Sequence, residues 1–171
     1  MDKIFNNEIK LIVSEIDGVL TDGLFTEDEI GNTLYKKFNV KDLAAINEIK
    51  KYCKVVFLSD DQKINYNMCN RRHIPFYWGK GEKGKVKALR EIMLRYSATP
   101  DEVIYIGSKI TDRSCMQMIP HSFCPDDVGE YLRSLAWGHF LTISGEGIFV
   151  ELLDLLLKHK CNDKNLDQCK L

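Results

Sequence analysis

The 171 residues are enough for one domain with its own core, and 44% apolar with 29% charged residues is an ordinary balance for a globular chain. Lys+Arg 24 against Asp+Glu 25 leaves no global field to draw nucleic acid or an acidic membrane, so neither is expected as a partner. No apolar run reaches the length of a signal peptide or a membrane span, and the expected location is cytoplasmic.

Apolar runs alternate with amphipathic stretches along the chain, the pattern of a parallel sheet with crossover helices. "IKLIVSEI" (9–16) predicts a buried first strand. In "GLFTEDEIGNTLYKKFNV" (23–40), "LFTE" and "TLYKKFN" flank the turn residues "DEIGN", which predicts a β-hairpin arm. "KDLAAINEIKKY" (41–52) places Leu43, Ala44, Ile46 and Ile49 at helical spacing. Strands are then expected at 54–59, 75–79, 102–107, 121–125 and 139–144. Helices are expected at 62–72, 84–97, 112–119, 127–136 and 147–160. The expected fold is α/β: a single, doubly wound, mostly parallel Rossmann-like sheet over 1–160, with arm 23–40 and no cap domain. The tail 161–171 lacks periodicity and is expected to be disordered. Six scattered cysteines without a C-x-x-C pair read as free thiols, and none is given a function.

Ligands of open α/β sheets bind beyond the carboxyl ends of the strands. At those ends the sequence places Glu15, Asp17, Gly18, Thr21 and Asp22, then Ser59, Asp60 and Asp61. "GKGEKGK" (79–85) adds Lys80, Lys83 and Lys85, and the stretch after "VIYIG" adds Ser108, Lys109, Thr111 and Asp112. Acids, a hydroxyl and lysines on one rim suit a phosphate and a divalent cation. His73 and His159 read as surface residues, and His121 and His139 as strand starts. The aromatic residues of "PFYWG" and Trp137 read as packing.

The order of these residues resembles the haloacid dehalogenase (HAD) superfamily. The closer resemblance is to its small capless branch of 3-deoxy-D-manno-octulosonate (Kdo) 8-phosphate and nonulosonate 9-phosphate phosphatases. It also resembles the C-terminal domain of animal CMP-sialate synthetases. "DGVLTDG", the hairpin, "FNVKD", "VIYIG" and "SGEG" (144–147) carry the likeness over about residues 8 to 158.

The resemblance implies a nucleophilic aspartate at the position of Glu15 and an acid/base at Asp17. It implies phosphate held by Ser59 and Lys85, and Mg²⁺ held by Glu15, Asp17 (through its backbone carbonyl as well) and Asp112. The chain departs from that pattern where the chemistry sits. Glu15 is one methylene longer than aspartate, and Ser108 stands at a metal-ligand position, so Mg²⁺ is expected to be weak or absent. Lys109 either substitutes for the missing charge, pairing with Glu15 or Asp17, or points into solvent. Ser59-Asp60-Asp61 replaces Thr-Gly-Arg, and Val150 stands where relatives carry arginine. The resemblance further implies a homotetramer through the hairpin, which presents Leu24, Phe25, Leu34, Tyr35 and Phe38. It also implies a sugar-acid phosphate or phosphate ion as ligand, and a cytidylyltransferase as partner. Two functions stay open: an impaired phosphatase with a scaffold or regulatory role, and an active Mg²⁺-dependent phosphomonoesterase on an eight- or nine-carbon sugar-acid phosphate.

Overall fold

The computed structural model describes residues 8–61 and 63–163. Six parallel strands form the main sheet: β1 (Leu11–Ser14), β4 (Lys54–Ser59), β5 (Phe76–Trp78), β6 (Val103–Ile106), β7 (His121–Cys124) and β8 (Gly138–His139). Their spatial order is β5-β4-β1-β6-β7-β8. β1 lies between β4 (Leu11 opposite Lys54) and β6 (Leu11 opposite Val103), where the winding of the sheet reverses. A crevice opens at such a reversal, beyond the carboxyl ends of the strands.

"LIVS" is wholly buried, and its alternating side chains enter two cores. Ile12 packs with residues of α1 (Val40–Ile49), α2 (Lys63–Asn70) and α6 (Ile148–Asp163), among them Ile46, Met68, Phe149 and Leu152. Leu11 and Val13 pack with α3 (Gly81–Arg95), α4 (Arg113–Met118) and α5 (Glu130–Leu135), through Leu89, Ile92, Met116 and Leu132. The result is the three-layer α/β arrangement expected of the sequence. Among the described residues no helix is long and apolar enough to cross a membrane.

The hairpin forms from β2 (Thr26–Glu27) and β3 (Thr33–Tyr35), paired antiparallel with an irregular register. Its turn is set by Asp28, whose carboxylate accepts from the backbone N–H groups of Ile30 and Asn32 at 3.1 and 2.7 Å. Leu24, Phe25, Leu34 and Tyr35 are exposed as expected, but Phe38 packs against the core.

Several boundaries differ from the sequence expectation. The strand expected over 139–144 ends at His139, because Glu151 takes the N–H groups of Leu141 and Thr142 that a ladder would use. The second helix ends at Asn70, since His73 turns left-handed (φ 51°) and the Ile74 N–H returns to the Cys69 carbonyl. Helix α3 starts three residues early, at Gly81. On α1 the buried face carries Asp42 and Ala45, while Ala44 is exposed. Trp78, read as packing, lies on the edge strand with 49% of its surface exposed, and Trp137 is also exposed, edge-on to Phe123. His159 is buried, contrary to expectation, and His139 closes its strand instead of opening it. Helix α6 continues through Asp163 into the expected tail, whose residues 164–171 lie outside the described residues.

Candidate active site

Where β1 ends, the Glu15 N–H still donates to the Ile106 carbonyl of β6, and the chain then folds into a tight turn. Glu15 is thereby held at the reversal between β1 and β6, with no solvent-exposed side-chain surface. Its Oε1 accepts the Ile16 N–H at 2.9 Å, and its Oε2 is paired with the Lys85 ammonium. Lys85 reaches this point from the first turns of α3. Gly79 makes the approach feasible: a Cβ there would lie 2.9 Å from the Lys85 Cα.

Lys85 also donates to Asp112 Oδ1 at 2.6 Å, and the Tyr105 hydroxyl donates to the same oxygen at 2.8 Å. Asp112 Oδ2 accepts the backbone N–H groups of Ser108 and Lys109 at 3.0 and 2.9 Å, which folds the loop after β6. Burial alone would push the Lys85 pKa down, but Asp112 and Glu15 outweigh it and hold the ammonium above its usual value. Burial raises the Glu15 pKa against the pull of Lys85. Burial also pushes the Tyr105 phenol well up, so it remains a donor.

A second cluster surrounds Asp17. Its Oδ2 receives the Lys36 ammonium and the Asn65 amide, each at 2.8 Å, and its Oδ1 receives the Thr21 hydroxyl at 3.3 Å. Lys36 also pairs with Asp61, and its side chain is only 1% exposed. Asn65 donates to the Ser59 hydroxyl at 3.2 Å, tying β4 to this cluster. The backbone carbonyl of Asp17 accepts the Ser108 hydroxyl at 2.9 Å. Gly18, at φ 85°, permits that contact, because a Cβ there would lie 2.7 Å from Ser108 Oγ.

Lys109 lies between the clusters, 3.0 Å from Asp60 and 3.9 Å from Glu15. Burial would lower its pKa, but Glu15 and Asp60 outweigh that and raise it. The Lys109 ammonium thus turns toward Asp60 and Glu15 rather than into solvent.

The expected residues Glu15, Asp17, Ser59, Lys85, Ser108, Lys109 and Asp112 therefore converge. Lys80 and Lys83 do not; they are exposed on the start of α3. Asp22 caps its own turn through the Leu24 N–H, and Val150 sits partly exposed on α6. Lys36, Asn65 and Tyr105 were missed. Asn65 had a readable signal, since it shares a helical face with Met68 and Cys69, and a buried amide on an apolar face has a partner. Lys36 had almost none, because a lysine in an amphipathic ribbon reads as solvent-facing.

The donor set fits a divalent cation poorly. All six carboxylate oxygens of Glu15, Asp17 and Asp112 already accept protein donors. Among the described residues no group of three or more His, Cys, Asp or Glu side chains is arranged to hold an ion. Mg²⁺ demands near-octahedral oxygen ligands and dehydrates reluctantly, so it would have to displace ammonium and amide donors here.

No family model matches the chain. It is 28% identical over 153 residues to the 3-deoxy-D-manno-octulosonate 8-phosphate phosphatase KdsC of Haemophilus influenzae, covering 88% of this chain and 83% of the relative. The cobalt-bound structure of the Haemophilus influenzae phosphatase superposes with a TM-score of 0.83 at 28% identity over 94% of each chain. A structure from Legionella pneumophila, described as a putative HAD superfamily (subfamily III A) hydrolase, matches at a TM-score of 0.81 and 25% identity over 89% of this chain and 84% of that one. By sequence and by fold together, the chain is similar to HAD-superfamily phosphatases of the Kdo 8-phosphate kind.

Proposed function

We propose that this chain is a phosphatase-fold protein whose turnover is impaired or lost and whose role in Kdo- or sialate-type sugar-acid metabolism is that of a scaffold or regulator. One observation carries the reading: the Glu15 carboxylate is fully buried, with Oε1 engaged by a backbone N–H and Oε2 by Lys85. A nucleophile needs a free lone pair in line with phosphorus, and a misplacement of about 1 Å costs on the order of 10²-fold. Mg²⁺ is bound weakly or not at all in this reading. Ser59 and Lys85 keep their positions for a phosphate ion or sugar-acid phosphate. The assembly is a homotetramer joined through the hairpin, in the cytoplasm, with a cytidylyltransferase as partner.

Hydrolysis of p-nitrophenyl phosphate and Kdo 8-phosphate in the presence of Mg²⁺ tests this. Wild type is expected at background, Glu15→Asp little better, and Glu15→Asp/Ser108→Asp measurably active. Substantial wild-type turnover that Glu15→Gln abolishes would overturn the proposal. It would establish the second reading, a Mg²⁺-dependent phosphomonoesterase on a sugar-acid phosphate. That reading is favoured by the length of the match to proteins named as phosphatases.

A further inference from the structure

We infer that the site carries its own tethered cation: the Lys109 ammonium, assisted by the Ser108 hydroxyl, fills the seat that a divalent ion would otherwise occupy. The inference rests on the altered-phosphatase reading for its biological sense, but its geometry stands alone. Five carboxylates, Glu15, Asp17, Asp60, Asp61 and Asp112, face three ammonium groups, those of Lys36, Lys85 and Lys109. Lys36 and Lys85 are enclosed, whereas Lys109 is 34% exposed and enters from the mouth. Its Nζ stands 3.0 Å from the Asp60 carboxylate and 3.9 Å from that of Glu15, which follow the ends of different strands. A positive charge between two partly desolvated acids is what that position requires, and the protein supplies it from its own loop.

The Ser108 hydroxyl completes the exclusion. It donates to the Asp17 carbonyl, the oxygen that the family resemblance would give to a metal. The backbone that carries both side chains is fixed by Asp112, whose Oδ2 accepts the N–H of Ser108 and of Lys109. The pair is therefore held in place by the loop that carries it. A tethered ammonium neutralises acids without dehydrating a free ion, but it has one charge and no coordination sphere with which to draw a phosphate oxygen toward Glu15. The seat keeps a positive charge without the capacity to activate a phosphoryl group.

The test reads metal binding without any substrate, so it is independent of the hydrolysis assay. Mn²⁺ is titrated into the full chain and followed by electron paramagnetic resonance, for wild type, Lys109→Met and Ser108→Asp/Lys109→Ala. Wild type is expected to leave Mn²⁺ free. The double variant is expected to bind about 10- to 100-fold more tightly, the range by which contacts around a metal site change affinity. Lys109→Met, which keeps Ser108 and guards against misfolding of the double variant, is expected to gain less. Wild-type binding that Asp17→Asn or Asp112→Asn removes would overturn the inference. So would a folded double variant, with unchanged circular dichroism, that binds no better than wild type. Wild type that hydrolyses p-nitrophenyl phosphate or Kdo 8-phosphate without binding Mn²⁺ sinks the proposed function and leaves the tethered cation standing.

Discussion

At the scale of single residues, two neighbouring acids have opposite pH responses. Burial would raise the pKa of Asp60, but the Lys109 ammonium bonded to it outweighs burial and holds the carboxyl below its usual value. A depressed carboxyl stabilises the fold above its unfolded pKa, about 3.9 for Asp, and loses that contribution as pH falls through the folded value. Urea midpoints should therefore favour wild type over Asp60→Asn at pH 7, and the gap should close in stronger acid. An unchanged gap across that window would remove the Asp60–Lys109 bond from the account. Glu15 works the other way: its pKa is raised by burial, so the ionised form burdens the fold above the folded pKa and acidification relieves it. Residues at strand ends were legible in the sequence, because sheet topology alone brings Glu15, Ser59 and Asp112 to one rim. Lys36 was not, since its partners Asp17, Asp61 and Asn65 lie 19, 25 and 29 positions away and no periodicity points to them.

At the scale of elements, interiors were legible and ends were not. The apolar runs of β1, β4 and β6 specify strands wherever they are cut, but their limits are set by side chains bonding to distant backbone. Helix α6 is the clearest case. Its first residues follow Gly147, which has no side chain to cap them, so Asp42 of α1 accepts the Phe149 and Val150 N–H groups at 2.7 and 3.3 Å. Burial raises the Asp42 pKa against these donors, and its Oδ2 has no hydrogen-bond partner among the described residues. Asp42→Ala is expected to lower stability by about 1–2 kcal/mol, the usual worth of a lost cap. Asp42→Asn, which retains the accepting oxygen, should recover most of it. Chemical denaturation of the two variants measures the difference, and equal losses would show that the charge, not the cap, matters.

At the scale of the whole molecule, the hairpin is an exposed apolar feature that a single copy leaves unexplained. Leu24, Phe25, Ile30, Leu34 and Tyr35 are 54–80% exposed on a two-stranded ribbon that is marginal by itself in water. Its base is nonetheless anchored, because Lys36 ties the end of β3 to Asp17 and Asp61. The proposed oligomer predicts that wild type sediments at a multiple of the 19.7 kDa chain mass, and that Phe25→Glu/Leu34→Glu sediments as a folded monomer. A wild type that itself sediments as a monomer would refute the proposed assembly. The arm's existence was legible from "DEIGN" between two amphipathic runs; its anchoring was not.

The middle position of β1 has a consequence for how the chain comes off the ribosome. Its two pairing neighbours begin at Lys54 and Val103, and the loop that stitches over it arrives only with Ser144, whose hydroxyl donates to the Gly18 carbonyl at 2.6 Å. β1 therefore gains its second neighbour and its covering loop only after Val103 and Ser144 are made, and such non-local pairing is slow and sticky. The acids beside it meet Lys36 early but Lys85 and Lys109 only later, so a nascent chain that stops short of Lys85 carries Glu15 without its ammonium partners.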